Sequence, residues 1–203
     1  MNSNISDKLY YYSLLFIALT IPFQWKYLPF STGIIVLSLI WLFSGSISSK
    51  IKIFFNNSHA VLLSLLYIIY LISLFYSENK EYAKTDLLLK LPLFLLPLFL
   101  STSERLKKTQ VVDILKIFAI STFFAALTTL GIGYFNYTKT GMIKYFFYHD
   151  LTIFMHSAYY ALYALFAIAI FISLYIKTGN KKSKIAYSSM AFGLSFFFIF
   201  TFL

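Results

Sequence analysis

The sequence predicts an all-α, polytopic helical membrane protein with about seven transmembrane helices and a cytoplasmic N-terminus. Three observations predict this fold class. Of the 203 residues, 60% are apolar and only 12% are charged, whereas soluble domains carry about 25% charged residues. The apolar residues form runs close to the length of about 20 residues that crosses a bilayer. Basic residues gather in alternate connecting segments, which sets an orientation. A water-soluble domain and a disordered chain, which is poor in aromatic and aliphatic residues, are both excluded.

The first three predicted spans are bounded by residues that interrupt helices. The first, residues 9–23, follows Lys8 as in a signal peptide, but it reaches Pro22 without a small-x-small cleavage site. We therefore predict a retained helix rather than a cleaved leader. The second span, residues 28–46, ends in a Ser-Gly-Ser turn, and the third, residues 60–76, is apolar throughout.

The last four predicted spans differ in how they are expected to pack. The fourth, residues 87–101, is short and carries Lys90 next to two prolines. The fifth and sixth, residues 115–135 and 157–176, have small residues at helical spacing, which predicts helix–helix seams or, alternatively, the lining of a lipid or sugar site. These small residues are Thr122, Ala126, Thr129 and Gly133 on the fifth span, and Ser157, Ala161 and Ala164 on the sixth. The seventh, residues 185–203, is apolar to its end, so we expect a longer protein.

The distribution of basic residues gives the orientation. With the N-terminus inside, 11 of the 17 lysines and arginines fall in cytoplasmic segments and six fall outside. The formal net charge of +10 is therefore attributed to topology, and no nucleic-acid partner is predicted. The chain has no cysteine, which excludes disulfides and thiolate metal sites.

Polar chemistry is concentrated in two segments predicted to lie outside. The first leads into Lys90, a cation at the edge of the apolar zone, where ionisable residues are costly and often functional. Two interpretations are open: Lys90 snorkels to the interface, or it faces a cavity and binds a phosphate or pyrophosphate. The second segment, residues 145–163, carries His149, His156 and Tyr160, which share one face if the segment is helical. They are either ordinary interfacial residues or proton carriers and phosphate-contacting donors. No metal is predicted, because two histidines seven residues apart lack further ligands.

Two segments resemble a known family. The stretch Tyr76-Ser77-Glu78-Asn79, followed by residues 86–98 (DLLLKLPLFLLPL), looks like the third-to-fourth span region of bacterial O-antigen ligase and O-antigen polymerase-like membrane proteins. Residues 156–163 (HSAYYALY) resemble their His-Pro-x-Tyr motif at the start of a later span, with Ser157-Ala158 where Pro-Thr is common.

The resemblance implies an integral glycosyltransferase of about a dozen helices in the bacterial inner membrane. Such enzymes take a glycan from an undecaprenyl-pyrophosphate carrier at the periplasmic face, without metal or cofactor. Ligases transfer it to lipid A–core, and polymerases transfer it to another repeat unit. A large periplasmic loop after roughly the seventh span supplies their catalytic Arg and His. No residue of this sequence matches those positions, so we expect residues 1–203 to form a single transmembrane domain, truncated before that loop and inactive alone.

Transfer from such a carrier releases an anionic pyrophosphate, which calls for cations on the outer face. The candidate substrate-binding residues are Lys84, Lys90, Lys139, Lys144, His149, His156 and Tyr160. The expected partners are the lipid-linked oligosaccharide, the lipid A–core acceptor and membrane lipids. Three rival classes stay open: a transporter or channel, a seven-helix sensor, and an accessory membrane subunit without chemistry.

Overall fold

The computed structural model describes residues 3–23, 30–102, 106–151 and 153–202. Within these ranges the regular structure is helical and no strand occurs, so the all-α prediction is confirmed. The α-helices are α1 (Ser3–Thr20), α2 (Phe30–Phe43), α3 (Ile47–Asn56), α4 (Ser58–Tyr76), α5 (Lys80–Lys90), α6 (Pro92–Ser101), α7 (Lys108–Thr140), α8 (Tyr148–Leu151), α9 (Ser157–Lys177) and α10 (Lys181–Phe202). A 3-10 turn, Ile143–Phe146, lies between α7 and α8.

Three helices of the described ranges, α4, α7 and α9, are long and apolar enough to cross a bilayer. The pair α2 and α3 adds a fourth crossing if the two form one broken span, because the chain bends by 111° between them. Apolar helices of this length are typical of membrane proteins. A membrane protein with three to four candidate spans is therefore what the helices support.

The helix boundaries follow the predicted breaks closely in some places and depart from them in others. Helices α4 and α9 coincide with the predicted third and sixth spans to within two residues at each end. Helix α3 lies where the sequence indicated only a cytoplasmic connection. The predicted fourth span is divided at Leu91 into the end of α5 and the start of α6. Pro92 explains the division, because proline has no N–H and fits the first turn of a helix.

The chain forms two compact units. Unit 1 contains Met1–Ser13 and Ile34–Leu106, and unit 2 contains Leu14–Gly33 and Lys107–Leu203. In unit 1, α4 packs against α5 and α6. The Tyr10 hydroxyl donates to the Phe99 carbonyl at 3.0 Å, which fastens the start of α1 to α6. Most of the apolar surface of α4 is exposed, as expected of a helix that faces lipid.

Unit 2 is a bundle of α7, α9 and α10 with the end of α1. Its contacts confirm both seams that the small residues predicted, since all seven of those residues are buried. The Ser121 hydroxyl of α7 donates to the Leu19 carbonyl at 2.5 Å, which joins α7 to the end of α1. Large side chains fill the space beside the seams, and they include Phe118, Phe154, Phe171, Leu194 and Phe197.

Residues 141–151 and 153–156, here called the return segment, fold back along the bundle after α7 ends. Gly141 adopts a φ of +70°, a left-handed conformation that glycine reaches without a steric penalty. Leu151 is fully buried. Gly133 faces the Tyr145 carbonyl so closely that an added Cβ would lie 2.7 Å from the oxygen. The small residue at position 133 is therefore what allows the return segment to lie against α7.

We predict that Gly133→Ala destabilises the protein by about 1–3 kcal/mol, the usual cost of forcing extra atoms into a packed site. The backbone of the return segment must move to accept the methyl group. The measurement is thermal unfolding of the purified protein in detergent, and intrinsic fluorescence can follow it.

Gly131→Ala is the matched control, because an added Cβ at position 131 meets nothing within 4 Å. Alanine is favoured over glycine inside a helix by about 1 kcal/mol, so this variant is expected to be neutral or more stable. Equal stability changes in the two variants would contradict the proposed packing.

Candidate functional site

The structure distributes the seven predicted site residues over both units. Lys84 and Lys90 belong to α5 in unit 1. The other five belong to unit 2, near the return segment, and they are Lys139, Lys144, His149, His156 and Tyr160.

Lys90 is held by two neighbours in unit 1. Its Nζ lies 2.5 Å from Oδ2 of Asp86, one helical turn earlier. The same ammonium lies 3.7 Å above the ring centroid of Tyr70 on α4, in the geometry of a cation–π contact. About a third of each side chain in the ion pair is exposed. Because a carboxylate already compensates its charge, Lys90 is a weaker candidate for a phosphate ligand than the sequence indicated.

The turn that precedes α5 is fixed by side chains that cap both helices. The Asn79 side chain accepts from the Tyr82 N–H at 3.0 Å and so caps the start of α5. Lys80 donates to the carbonyls of Leu74 and Phe75 at 2.9 and 3.0 Å, at the end of α4. Lys80 therefore stabilises the turn, whereas Lys84 is exposed on α5.

Two lysines of unit 2 lie at the end of α7 and in the return segment. Lys139 is exposed in the last turn of α7, with its Nζ 4.1 Å from the ring centroid of Phe135. Lys144 belongs to the 3-10 turn, and its Nζ lies 3.8 Å from Oδ2 of Asp150. Both partners of this pair are about half exposed. A pair this long and this exposed is weak, so Lys144 keeps the capacity to bind an anion.

His156 is the residue that begins α9. Its Nδ1 accepts from the Ala158 N–H at 3.3 Å, which places the proton of the neutral ring on Nε2. The ring is exposed and lies edge-on to Tyr159 at 6.3 Å between centroids. His156 thus combines a capping role with a ring that can donate from Nε2.

A shared face for His149, His156 and Tyr160 requires that they belong to one continuous helix, and the structure does not have that helix. His149 belongs to α8, but residues 153–155 form bends rather than helix, so no continuous helix connects it to α9. The chain leaves the helical path because Leu151 and Phe154 turn inward to the bundle core. The His149 side chain lies outside the described part of the structure.

Tyr160 is a core residue of unit 2. It is 1% exposed, and its ring meets Phe197 edge-on at 5.1 Å between centroids. Among the described residues its hydroxyl has no hydrogen-bond partner. The sequence placed Tyr160 among substrate-binding candidates, whereas its burial assigns it to the helix seam.

The sequence did not predict that one lysine of unit 1 is buried. Lys50 on α3 is 7% exposed, and its ammonium contacts the Trp41 carbonyl and donates to Ser44 Oγ at 3.2 Å. The ammonium also lies 4.5 Å from the ring centroid of Trp41. Since the Trp41 carbonyl belongs to the last turn of α2, Lys50 caps that helix at the 111° bend. The short amphipathic run ISSKIKIFFN, which precedes Asn57, is the part of the sequence that could have predicted this helix.

Trp41 extends this capping cluster. Its indole Nε1 donates to Oγ1 of Thr102 at 2.7 Å, and its ring lies 5.3 Å from that of Phe99. The cluster therefore connects the ends of α2, α3 and α6 within unit 1. The described ranges hold no group of three His, Asp or Glu side chains that could bind a metal ion.

Comparison with family models, with characterised proteins and with solved structures gives no match to this chain.

We predict that Lys50→Met lowers the free energy of unfolding by about 1–3 kcal/mol, the cost of leaving a buried acceptor without its donor. Methionine keeps the length of the apolar stem but cannot donate to the Trp41 carbonyl. Unfolding in detergent, followed by Trp fluorescence, measures the loss.

Lys52→Met is the matched control on the same helix, because Lys52 is exposed. Surface substitutions usually change stability by no more than about 0.5 kcal/mol. A change at position 50 as small as that at position 52 would contradict the capping role of Lys50.

Proposed function

We propose that this chain takes part in glycan transfer from an undecaprenyl-pyrophosphate carrier to lipid A–core in the bacterial inner membrane, as O-antigen ligases do. Polymerase-like transfer to another repeat unit is the alternative within the same chemistry. The all-helical fold and the two segments of resemblance, residues 76–98 and 156–163, support the proposal.

The observation that carries the proposal is the group of cations near the end of α7. Lys139 is exposed, and Lys144 is only weakly paired with Asp150. His156 presents a ring that can donate from Nε2. Such groups favour a pyrophosphate, whose negative charge grows as the glycosidic bond to the carrier breaks.

The proposed role of these residues is to bind and orient the carrier. Lysine ammonium groups bind phosphate as point charges, and a histidine donor adds direction. The reaction also needs a general base that takes the proton of the acceptor hydroxyl. We assign no residue of this sequence to that base, so the proposal includes that residues 1–203 are inactive alone.

The proposal also includes the topology. Seven crossings are formed by α1, α2, α4, the α5–α6 pair, α7, α9 and α10, with the N-terminus in the cytoplasm. Under this arrangement, α3 lies at the cytoplasmic surface and the return segment lies at the periplasmic surface.

We predict that Lys139→Gln together with Lys144→Gln weakens binding of undecaprenyl pyrophosphate by about tenfold or more. Each substitution removes a cation that faces the pyrophosphate and keeps a side chain of similar size. Native mass spectrometry of residues 1–203 in detergent measures the bound carrier.

The control is Lys8→Gln with Lys52→Gln, which removes the same charge from two exposed positions in unit 1. Equal losses in the two double variants would overturn the carrier site. Expression of residues 1–203 in a ligase-null strain tests the inactivity, and restored surface glycan would contradict it.

We predict that reporter fusions alternate in activity along the chain. Alkaline phosphatase is active only outside the cytoplasm, so fusions after Asn79 and Gly141 should be active. Alkaline phosphatase fusions after Asn57, Lys107 and Gly179 should be inactive. Fusions of green fluorescent protein at the same three positions should be fluorescent. Activity on the same side at both Asn57 and Asn79 would contradict seven crossings, since α4 would not cross the membrane.

One observation favours a second candidate, a transporter. Transporters use discontinuous helices whose interrupted backbone lines a binding site, and α2 and α3 form a pair bent by 111°. The Lys50 capping cluster occupies the bend in this chain and satisfies its backbone. A solute-dependent uptake signal from reconstituted vesicles would favour the transporter over the transferase.

A further inference from the structure

A groove lies between α9 and α10, near the ends that residues 178–180 join. It has a volume of about 160 Å³ and both aromatic and aliphatic walls. The lining residues are Phe171, Ile172, Tyr175, Tyr187, Ser188 and Ala191. The rings of Phe171 and Tyr187 are stacked with centroids 6.1 Å apart, which gives the groove a flat apolar wall.

Two lysines stand beside the tyrosines of this groove. The Nζ of Lys116 on α7 lies 5.8 Å from the ring centroid of Tyr187. The Nζ of Lys184 on α10 lies 5.3 Å from the ring centroid of Tyr175. Two ammonium groups and two phenols therefore flank one apolar groove.

The same end of unit 2 is strongly basic. Lys177 ends α9, and Lys181 and Lys182 begin α10; all three are exposed. Asp113 on α7, one turn before Lys116, is the acidic residue described at this end. Positive charge thus clearly exceeds negative charge around the mouth of the groove.

The chemistry of the groove matches one class of ligand. Aliphatic and aromatic walls fit an acyl chain, whereas ammonium and phenol groups fit a phosphate. Basic pockets between transmembrane helices bind the headgroups of anionic lipids, and each lysine near such a headgroup contributes roughly a factor of five in affinity. A free phosphate would leave the apolar walls unused, and a neutral lipid would leave the lysines uncompensated.

We propose that the α9–α10 groove is a binding site for an anionic phospholipid. Lys116 and Lys184 hold the phosphate, and an acyl chain lies along Ile172 and Ala191. The inference goes beyond the proposed function, because the groove is built from residues that the carrier site does not use. It holds whether the chain is a transferase or a transporter.

The test uses the purified chain in nanodiscs that contain phosphatidylcholine with one tenth phosphatidylglycerol, followed by native mass spectrometry of the retained lipids. Wild-type protein is expected to retain phosphatidylglycerol selectively. Lys116→Gln with Lys184→Gln is expected to lower that affinity about twenty-five-fold, the product of the two lysine contributions.

The matched control is again Lys8→Gln with Lys52→Gln, which should retain phosphatidylglycerol like the wild type. Equal retention in all three proteins, or an equal loss in both double variants, would overturn the site. Displacement of the lipid by millimolar inorganic phosphate would also overturn it, since it would show a phosphate site without a lipid.

A second variant keeps the proposal testable if the lysine variant does not fold. Ala191→Phe fills the groove and leaves every lysine in place. It is expected to abolish selective retention, whereas Ala169→Phe, at an exposed position of α9, is expected to preserve it. Unchanged selectivity in Ala191→Phe would exclude the groove as the place of the acyl chain.

Discussion

The close approach of α7 to α9 is the interaction on which the rest of unit 2 depends. In lipid, apolar side chains gain nothing by leaving solvent, so helices associate through close packing of small residues. The Thr122 and Thr129 hydroxyls donate to carbonyls one turn earlier in α7, at 2.9 and 2.8 Å. Both hydroxyls are therefore paired within α7 itself, so they do not hold the two backbones apart. The same row of small residues ends at Gly133, and the return segment packs closely against α7 at that position.

Unit 1 differs from unit 2 because its helices are interrupted repeatedly. Each interruption frees backbone groups at helix ends, and these groups need hydrogen-bond partners. The side chains of Asn57 and Asn79 accept from freed N–H groups, and those of Lys50 and Lys80 donate to freed carbonyls. Two lysines that the sequence analysis counts only for orientation thus complete the ends of helices.

The sequence predicted those parts of the fold that depend on local patterns. The seams followed from spacing, because small residues four and seven apart must share a helix face. Lys50 was not predicted, because a count of basic residues treats every lysine alike and cannot show that the chain bends sharply after Gly45. Tyr160 was assigned to a site because spacing identifies a shared face but not what that face meets. The inward turn of Leu151 and Phe154 depends on contacts with distant residues, which no local pattern contains.

The length of α7 bears on where the return segment lies along the helix. Its 33 residues extend about 50 Å at 1.5 Å per residue, against about 30 Å of hydrocarbon. The helix is therefore longer than the hydrocarbon layer is thick, and the close approach of Gly133 to Tyr145 sets where the chain comes back along it. Thr140, the last residue of α7, lies seven positions after Gly133, so the return segment meets α7 about 10 Å before the helix ends. A headgroup that meets this surface would do so at a height fixed by backbone geometry rather than by the reach of a flexible side chain.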